Sequence, residues 1–537
     1  MKLFELNNEK YHMGHLVWDG LRTFPDTICQ IDAATGESET NASVLRRSVQ
    51  FARCLLRFGV QPGDVMALSG RNHLDLHIPY YAALMIGMPV SGLDPEFKYT
   101  EIKVQYEILC SPKVAFCQKE RLEDHLQAIK NLGLDTKLIC FDDGEYSMKK
   151  FIQEYDDGCD DTEFEPLDFD LDQIYGWLLS TSGTTGVIKV AACKHRMVLK
   201  KWFELLRPMI KAFPCDGDLI KNDKNLRILN LSSVQWISFA FEGLTGPALR
   251  VTNIMTSAPS TTEHIIDIIN AYKPVLTTMV PFMVASILKS KKECDLSCFD
   301  SITISGSKTP ENLLLQLRDR LLPGTIANEI YGQSENLGPI LSPNPSGPIG
   351  NCGHCPFEWQ KNVKLVDPEN NIEIKEPNVP GEMITKITGF SEYYNNPAET
   401  KNAFTDDGWF KTGDILYRDE GGNYFFVERL KMLIKYRGYH IRPSEIETLI
   451  LEHPGVSDVS VTSIPDEEDG EHPVACVVRK IGSNVTAQEI KDLVASKRSN
   501  SQQLRGGVVF LNEIPLTSTG KIARGKIKQI ALTAQRE

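Results

Sequence analysis

The sequence predicts an α/β protein in which a large N-terminal domain of two α/β layered subdomains and a β-rich subdomain precedes a small α+β C-terminal domain. Its 537 residues exceed what one ordinary hydrophobic core accommodates. From about residue 40 to 290, helical stretches alternate with short apolar runs, which is the pattern of helices packed on largely parallel sheets. From about residue 360 the apolar runs are short and separated by Gly and Asn, which indicates a β-rich region.

The N-terminal elements follow from hydrophobic periodicity. Residues 43–58 form a predicted helix, and short apolar runs predict strands at 64–68, 113–116 and 228–231. The most apolar segment, 78–90, is interrupted by proline and glycine and is shorter than the roughly 18 residues of a membrane span. We therefore expect a buried core helix there and no transmembrane segment.

The C-terminal half predicts a series of short elements, with strands at 363–366, 381–384, 424–427, 474–479 and 508–511 and a helix at 487–496. Pro443 marks the start of a further helix, because its fixed φ suits the first helical turn. We expect the domain boundary near residues 429–431, which gives an N-terminal domain of residues 1–430 and a C-terminal domain of residues 431–537.

Charge and cysteine content restrict the class of protein. The formal net charge of −13 argues against a nucleic-acid partner, because such partners require a basic surface. The N-terminus lacks the apolar stretch of a secretory signal. The 13 cysteines are therefore expected to be reduced in an intracellular compartment. Cys352 and Cys355 imitate a redox pair, but Pro356 and strand-like residues follow in place of an activating helix. We interpret their spacing as coincidental.

Residues 181–189 read Thr-Ser-Gly-Thr-Thr-Gly-Val-Ile-Lys. Glycines allow backbone N–H groups to converge on an anion, and the hydroxyls and the lysine add donors and charge. Only two residues separate the glycines, so this is not a Walker loop. The segment predicts a phosphate-binding loop, with a flexible polar turn as the alternative. Its candidate ligands are Thr181, Ser182, Gly183, Thr184, Thr185, Gly186 and Lys189.

Five further segments accompany this loop in order along the chain. They are 331–335 (Tyr-Gly-Gln-Ser-Glu), 408–414 (Gly-Trp-Phe-Lys-Thr-Gly-Asp), 428–431 (Glu-Arg-Leu-Lys), 435–439 (Lys-Tyr-Arg-Gly-Tyr) and 515–521 (Pro-Leu-Thr-Ser-Thr-Gly-Lys). Together the six segments resemble the adenylate-forming superfamily of acyl-CoA synthetases, peptide-synthetase adenylation domains and firefly luciferase. Residues 431–439 and 504–510 look closest to insect luciferases and 4-coumarate-CoA ligases. The resemblance extends over essentially the whole chain.

The resemblance implies a nucleotide site. The loop at 181–189 would hold the β- and γ-phosphates of ATP, and Tyr331 would stack on adenine, with Ser334 in the same set of nucleotide-binding residues. Glu335 would be a catalytic residue that holds Mg²⁺, a hard cation suited to carboxylate oxygens. Asp414 would accept both ribose hydroxyls, which suits an acceptor-only side chain, with Arg429 beside it.

It also implies two half-reactions that share one cleft. Lys521 would cancel the repulsion between a substrate carboxylate and the α-phosphate of ATP during adenylation. In the family the small domain is mobile and rotates about the residue that matches Lys431. That rotation would replace Lys521 with Lys435, which would assist thioester formation, and with Gly438, which would let the thiol of coenzyme A approach closely.

The chain departs from the family pattern at several positions. Ile188 stands where the family usually has proline, and Val190 and Ile330 stand where it has glycine. We expect Ile188 to raise the entropy cost of a closed loop and Val190 to resist a positive φ. The stretch that matches the family's acid pocket contains Trp236 but lacks the histidines of luciferases. Trp236 is expected either to gate an acyl tunnel or to be a core residue.

A second pocket segment is Gly306-Ser307-Lys308, in which relatives have small apolar residues at the place of Lys308. Lys308 is either an exposed loop residue or a partner for a polar or anionic group on the acid.

These observations predict an ATP-dependent acid-CoA ligase that uses ATP, Mg²⁺ and coenzyme A on a small carboxylic acid. The alternatives are a luciferase-type adenylate monooxygenase and a catalytically weakened binding relative. We expect a monomer. The sequence ends in Ala-Gln-Arg-Glu and not in the peroxisomal Ser-Lys-Leu, which favours the cytoplasm.

Overall fold

The computed structural model describes residues 10–158, 163–182, 188–212, 215–216, 219–220, 226–387, 389–437, 439–517 and 520–537. They form two compact units. Unit 1 contains the described residues of Met1–Thr181, Ile188–Gly353 and Ile387–Gly408. Unit 2 consists mainly of His354–Lys386 and Trp409–Glu537.

The longest helices, α2 and α7, have about five turns. In chain order they are α1 Met13–Thr23, α2 Asn41–Phe58, α3 His77–Met85, α4 Tyr99–Leu109, α5 Leu122–Leu132, α6 Met148–Tyr155, α7 His195–Ala212, α8 Ile237–Leu249, α9 Thr262–Tyr272, α10 Pro281–Lys289, α11 Glu311–Asp319, α12 Pro397–Ala403, α13 Pro443–Leu451, α14 Ala487–Lys497 and α15 Arg524–Thr533.

The strands are mostly short. In chain order they are β1 Ile28–Asp32, β2 Ser38–Thr40, β3 Met66–Ser69, β4 Val90–Leu93, β5 Val114–Cys117, β6 Lys137–Cys140, β7 Tyr175–Ser182, β8 Ile188–Lys194, β9 Cys215–Asp216, β10 Leu219–Ile220, β11 Arg227–Leu229, β12 Thr252–Met255, β13 Leu276–Met279, β14 Ser301–Ile304, β15 Ile326–Glu329, β16 Gly332–Gln333, β17 Gly338–Pro339, β18 Val363–Val366, β19 Glu373–Ile374, β20 Gly381–Thr385, β21 Glu392–Tyr393, β22 Phe410–Arg418, β23 Tyr424–Arg429, β24 Ile434–Tyr436, β25 Tyr439–Ile441, β26 Val456–Asp466, β27 Gly470–Arg479 and β28 Gly507–Leu511.

Unit 1 contains two seven-stranded sheets. The first has the order β15-β14-β13-β11-β12-β1-β2 and is parallel except for the edge strand β2. Isoleucines of α9 pack on this sheet in one apolar core with the buried residues of β13 and β14. The second sheet has the order β21-β8-β7-β4-β3-β5-β6. Helices α4 and α5 cover it through a second apolar core, as the alternation of helix and strand predicts.

Unit 2 contains two smaller sheets. One is antiparallel with the order β19-β18-β20-β22-β23 and corresponds to the predicted β-rich region. The other has the order β25-β24-β27-β26, with β28 added parallel to β27. Helices α13 and α14 complete the apolar core of this second sheet. The α/β class, with a large N-terminal domain and a smaller C-terminal one, is confirmed.

Local signals explain where several helices begin and end. The helix predicted at 43–58 is α2. Thr40 Oγ1 caps its first turn by accepting the Ser43 N–H, and the helix ends at Gly59, which has a φ of 99°. The segment 78–90 contains a shorter helix than predicted, because α3 ends at Met85 and Gly87 turns the chain with a φ of 72°. All of α3 is buried, as expected. In the described ranges, no helix has the length and hydrophobicity that crossing a membrane requires.

Candidate functional site

Four neighbouring strands of the first sheet in unit 1 end at one edge. The order β15-β14-β13-β11 is parallel throughout, so the carboxyl ends of these strands lie side by side. Tyr331 follows β15, the segment Gly306-Ser307-Lys308 follows β14, and Trp236 follows β11. Ligands of open α/β sheets bind at such carboxyl edges. The structure therefore brings the predicted adenine and acid-pocket residues to the same edge, which we call the carboxyl edge.

Backbone contacts fix the segment after β14. The Ser305 N–H donates to the carbonyl of Met279 at 3.0 Å, and the Thr309 N–H donates to Glu329 Oε2 at 2.7 Å. Burial raises the pKa of Glu329 to about 7, while its hydrogen bonds with Thr309 and the charge of Lys308 oppose the rise. The side chain of Lys308 is exposed, and Gly306 has a φ of 97°. The segment is thus held at both ends, and its lysine remains accessible.

Trp236 is the residue immediately before α8. Its side chain is partly exposed. Its backbone is extended, and its side chain makes no capping hydrogen bond to the helix. It differs in this from Trp177 and Trp202, which are 1% and 0% exposed in unit 1. The position is compatible with contact to a ligand at the carboxyl edge.

A tight hairpin positions the segment from Tyr331 to Glu335. Strands β16 and β17 approach so closely that a Cβ on Gly332 would lie 2.2 Å from the carbonyl oxygen of Gly338, which explains the glycine. Ser334 begins a 3₁₀ turn, Ser334–Asn336. The Glu335 carbonyl accepts N–H groups of Gly389 and Phe390 at 3.0 and 3.1 Å.

The carboxylate of Glu335 is held as well. Tyr393 donates its hydroxyl to Glu335 Oε1 at 2.9 Å. Glu335 is partly buried and provides the oxygen ligands that Mg²⁺ prefers, so the residue fits the predicted ion.

The predicted phosphate loop is described only at its two ends. Thr181 lies in β7 and Lys189 in β8, whereas Gly183, Thr184, Thr185 and Gly186, like the side chain of Ser182, lie outside the described residues. The Lys189 ammonium pairs with Glu399 and lies 4.8 Å from the centre of the Tyr393 ring. The lysine is thus held between an acidic and an aromatic residue of unit 1.

Two of the departures from the family pattern fall in a strand. Ile188 begins β8, and Val190 is 1% exposed within it, with its carbonyl accepting the Tyr394 N–H at 2.7 Å. Extended backbone suits β-branched residues, so Val190 occupies no positive φ here. The expected conflict at Val190 does not arise in this structure.

In unit 2, Asp414 and Arg429 are directly opposite each other on β22 and β23. Arg429 Nε lies 3.0 Å from Asp414 Oδ1, and Asp414 is 1% exposed. The neighbouring turn is fixed by Gly413, which has a φ of 69° and donates its N–H to Glu382 Oε1 at 3.0 Å. Thr412 Oγ1 accepts the Asp414 N–H at 3.2 Å. The strand register therefore places the two predicted ribose ligands together.

The hairpin that carries Lys521 belongs to the same unit. Thr517 donates its N–H to the Lys521 carbonyl at 2.7 Å, and Gly520 closes the turn with a φ of 72°. The pKa of Lys521 is lowered first by desolvation and then by the charge of Arg429, while Asp414 opposes the shift. Although Lys521 retains exposed surface, it thus lies within electrostatic reach of Asp414 and Arg429.

Lys435 lies on β24 with an exposed side chain, and its N–H donates to Glu471 Oε2 at 3.0 Å. The next turn contains Arg437 in the left-handed region, with a φ of 46°. Asp469 holds Arg437, because its carbonyl accepts the Arg437 N–H at 2.9 Å and its carboxylate pairs with the guanidinium. Gly438 lies outside the described residues, and Lys431 is an exposed residue of the 3₁₀ turn Leu430–Met432.

Sequence reasoning missed several members of these sites. Tyr393 and Glu399 are distant in sequence from the residues they contact, and no motif marks them. Glu382 contacts the Gly413 turn across the strand pair β20 and β22. Outside these sites, Glu242 is marked in the sequence as an acidic residue in the middle of an apolar run.

The cysteine pair shows no sign of redox function. Cys352 and Cys355 are both buried, and burial raises the pKa of Cys355 to about 11. A reactive thiol requires a lowered pKa, so this shift has the wrong direction.

Comparisons with known proteins identify the family of the chain. Residues 17–394 match the AMP-binding enzyme family, and residues 445–521 match the AMP-binding enzyme C-terminal domain. The chain is 30% identical over 520 residues to a luciferin 4-monooxygenase of Photuris pensylvanica, covering 94% of this chain and 92% of the relative. It is 28% identical over 534 residues to a 4-coumarate–CoA ligase of Humulus lupulus, covering 96% and 93%.

The fold has a solved counterpart. The crystal structure of ATP-bound MatB from Rhodopseudomonas palustris superposes with a TM-score of 0.81 at 21% identity, and covers 97% of this chain and 99% of that one. The family match spans most of the sequence and includes the hairpin at Glu335. The chain belongs to the AMP-binding enzyme family and, with it, to the adenylate-forming superfamily that the six segments predicted.

Proposed function

We propose that this protein is an ATP-dependent acid-CoA ligase. In the first half-reaction a carboxylate oxygen attacks the α-phosphate of ATP, which gives an acyl-adenylate and pyrophosphate. In the second, the thiol of coenzyme A attacks the acyl carbon, loses its proton and displaces AMP. The observation that carries the proposal is the group formed by Asp414, Arg429 and Lys521 within unit 2, which combines an acceptor for hydroxyl groups with two cations.

The first half-reaction joins two anions, so the developing charge must be neutralised where it forms. Lys521 supplies that charge on a hairpin, and Asp414 offers a buried carboxylate for the ribose hydroxyls. Lys521 is exposed, so its ammonium group is accessible to the phosphate and carboxylate oxygens. Arg429 orients Asp414 and adds positive charge.

The remaining nucleotide contacts are assigned from the family resemblance. Tyr331 and Ser334 bind the adenosine end, Glu335 holds Mg²⁺, and Lys189 with the hydroxyls of its loop binds the pyrophosphate end. Lys189 must then exchange Glu399 for phosphate oxygens, which Tyr393 supports from its ring face.

We assign the second half-reaction to the segment around Lys435. Residues 431–537 would rotate about Lys431 after adenylation and replace Lys521 with Lys435 and Gly438, as in the family's two-step scheme. The acid would lie at the carboxyl edge against Trp236, Gly306, Ser307 and Lys308.

Acid-dependent exchange of labelled pyrophosphate into ATP tests adenylation, and thioester formation with coenzyme A tests the second step. A panel of alkanoic and arylpropenoic acids is assayed, with the acid omitted as the control. We expect exchange and thioester formation with at least one acid class. ATP binding without exchange for any acid would instead identify a nucleotide-binding relative that has lost turnover. Ile188 and Ile330, which depart from the family pattern, are the residues that motivate this alternative.

A second candidate function follows from the match to a luciferin 4-monooxygenase. In this case the adenylate would react with oxygen and not with a thiol. Light emission on mixing the protein with luciferin, ATP and Mg²⁺ would establish it. We favour the ligase because the stretch around Trp236 lacks the histidines of luciferases.

We also propose a monomeric cytoplasmic enzyme. Light scattering after size-exclusion chromatography and imaging of a tagged protein test these two points.

A further inference from the structure

Glu242 is a buried acidic residue that the proposed chemistry leaves without a role. It lies in the middle of α8 and is 8% exposed. Burial raises its pKa to about 8, and a hydrogen bond from Thr278 opposes the rise. Its Oε2 atom has no hydrogen-bond partner among the residues that the structure describes. Because a buried polar atom without a partner costs folding free energy, its presence points to a contact with a ligand.

The neighbours of Glu242 along α8 include both polar and apolar side chains. Ser238, four residues earlier, and Thr245, three residues later, share the helix face of Glu242 and are only partly buried. Phe239, three residues earlier, borders the same face; it is 1% exposed and stacks on the His77 ring at 4.8 Å. Glu242 therefore lies between partly buried polar side chains and the apolar core.

This face is tied to the carboxyl edge. Thr278, which hydrogen-bonds Glu242, is the next-to-last residue of β13. Strand β13 lies between β14, which leads to Lys308, and β11, which leads to Trp236. Glu242 thus lies near the carboxyl end of β13, between the two strands that lead to the residues assigned to the acid.

We propose that Glu242 determines the acid specificity by hydrogen-bonding a hydroxyl or ammonium group of the substrate. The inference rests on the proposed function, because that function places the acid at the carboxyl edge. Because Oε2 has no partner among the described residues, this oxygen is assigned to the substrate. The substrate class is then a carboxylic acid that carries a hydrogen-bond donor away from its reacting carboxylate, and not an unsubstituted fatty acid.

Matched acids test this assignment. The set contains unsubstituted, ω-hydroxy and ω-amino alkanoic acids of equal length, and phenylpropenoic acids with and without a para-hydroxyl or para-amino group. Dissociation constants are measured by calorimetry in the presence of a non-hydrolysable ATP analogue, and kcat/KM by pyrophosphate exchange. We expect the wild-type protein to prefer the donor-bearing member of a pair by about 10²-fold or more, because a buried acceptor left without a partner penalises the other member.

Three variants separate the contributions. Glu242→Met keeps the length of the side chain without its oxygens and should abolish the preference. Glu242→Gln keeps a hydrogen-bonding group that cannot ionise, so it should retain a preference for hydroxyl and lose the preference for ammonium, which requires the ionised carboxylate. Glu263→Gln removes an exposed carboxylate on α9 and should leave every ratio unchanged. If Glu242→Met does not fold, Glu242→Asp is used in its place. Its shorter side chain moves the carboxyl group away from the substrate, so the preference should again be lost.

Equal affinity of the wild-type protein for both members of every pair would overturn the inference. So would an unchanged ratio in the Met or Asp variant, or the failure of every acid to bind. If acids bind with the expected preference but no pyrophosphate exchange occurs, the proposed ligase function is wrong and the role of Glu242 in binding stands.

Discussion

The two lysines assigned to chemistry in unit 2 have contrasting surroundings. Lys521 is on a hairpin closed by Thr517 and Gly520, and desolvation and Arg429 lower its pKa. Lys435 is on an exposed edge of β24, where Glu471 binds its backbone and not its ammonium group.

This difference teaches what each region is built to hold. Around Lys521 the structure controls a charge, since a carboxylate and a guanidinium lie within its electrostatic reach. Around Lys435 it controls the backbone, since Asp469 holds Arg437 in a left-handed conformation just before Gly438. We expect charge-removing substitutions to act mainly on adenylation and backbone-releasing ones mainly on thioester formation.

Lys521→Ala should have the largest effect. Loss of the cation that neutralises the transferring phosphoryl group should lower pyrophosphate exchange by about 10²–10³-fold. Thioester formation from a preformed acyl-adenylate should remain near the wild-type rate. Lys526→Ala, which removes an exposed lysine of α15, is the control and should leave both steps unchanged.

Lys435→Ala should give the reverse pattern with a smaller effect. Conversion of preformed acyl-adenylate and coenzyme A into thioester should slow by about 10²-fold, because a group that assists the thiol is lost. Pyrophosphate exchange should persist, and Lys480→Ala serves as the exposed control. If Lys521→Ala and Lys435→Ala impair the same half-reaction, the division of labour between the two regions is wrong.

Arg429→Gln should change the pH dependence of adenylation. Lys521 acts as a cation, so the rate should fall as pH rises through its pKa, which lies below the ordinary value of 10.5. Removing Arg429 removes one cause of the lowered pKa, so the alkaline decline should move to higher pH. Profiles of pyrophosphate exchange measure the shift. A decline that stays in place would show that Arg429 does not act on Lys521.

Asp469→Asn should have the smallest effect. The variant keeps the backbone carbonyl that binds Arg437 but weakens the pairing with its guanidinium. Thioester formation should fall by about twofold, as for a surface contact, and adenylation should be unchanged. A larger loss in adenylation than in thioester formation would contradict the assignment of this turn to the second step.

Much of the fold could be predicted because local signals decide it. The helix at 43–58 has an apolar stripe, a threonine cap and a terminal glycine, so sequence and structure agree to within two residues. The segment 78–90 was harder, because a continuous apolar run does not show where a buried helix gives way to a strand. Its end depends on Gly87, whose conformation is fixed by packing.

The candidate site was predicted from sequence as a set of residues, whereas their arrangement depends on the fold. The motifs name Asp414 and Arg429, but their contact results from the register of β22 and β23. Tyr393 and Glu399 could not be found, because they act through contacts made only after the chain folds. Val190 shows the opposite error, in which a missing glycine implied strain at a position that is extended.

Under the proposed assignment of Lys189 to the pyrophosphate end of ATP, its pair with Glu399 sets a condition on which nucleotides the loop would accept. An internal carboxylate already satisfies the lysine, so an incoming anion gains only the difference between its own attraction and that of Glu399. A ligand with several phosphate charges overcomes this competition more readily than one with a single charge. The protein thus carries its own competitor, which would discriminate between ATP and AMP and favour release of the spent nucleotide.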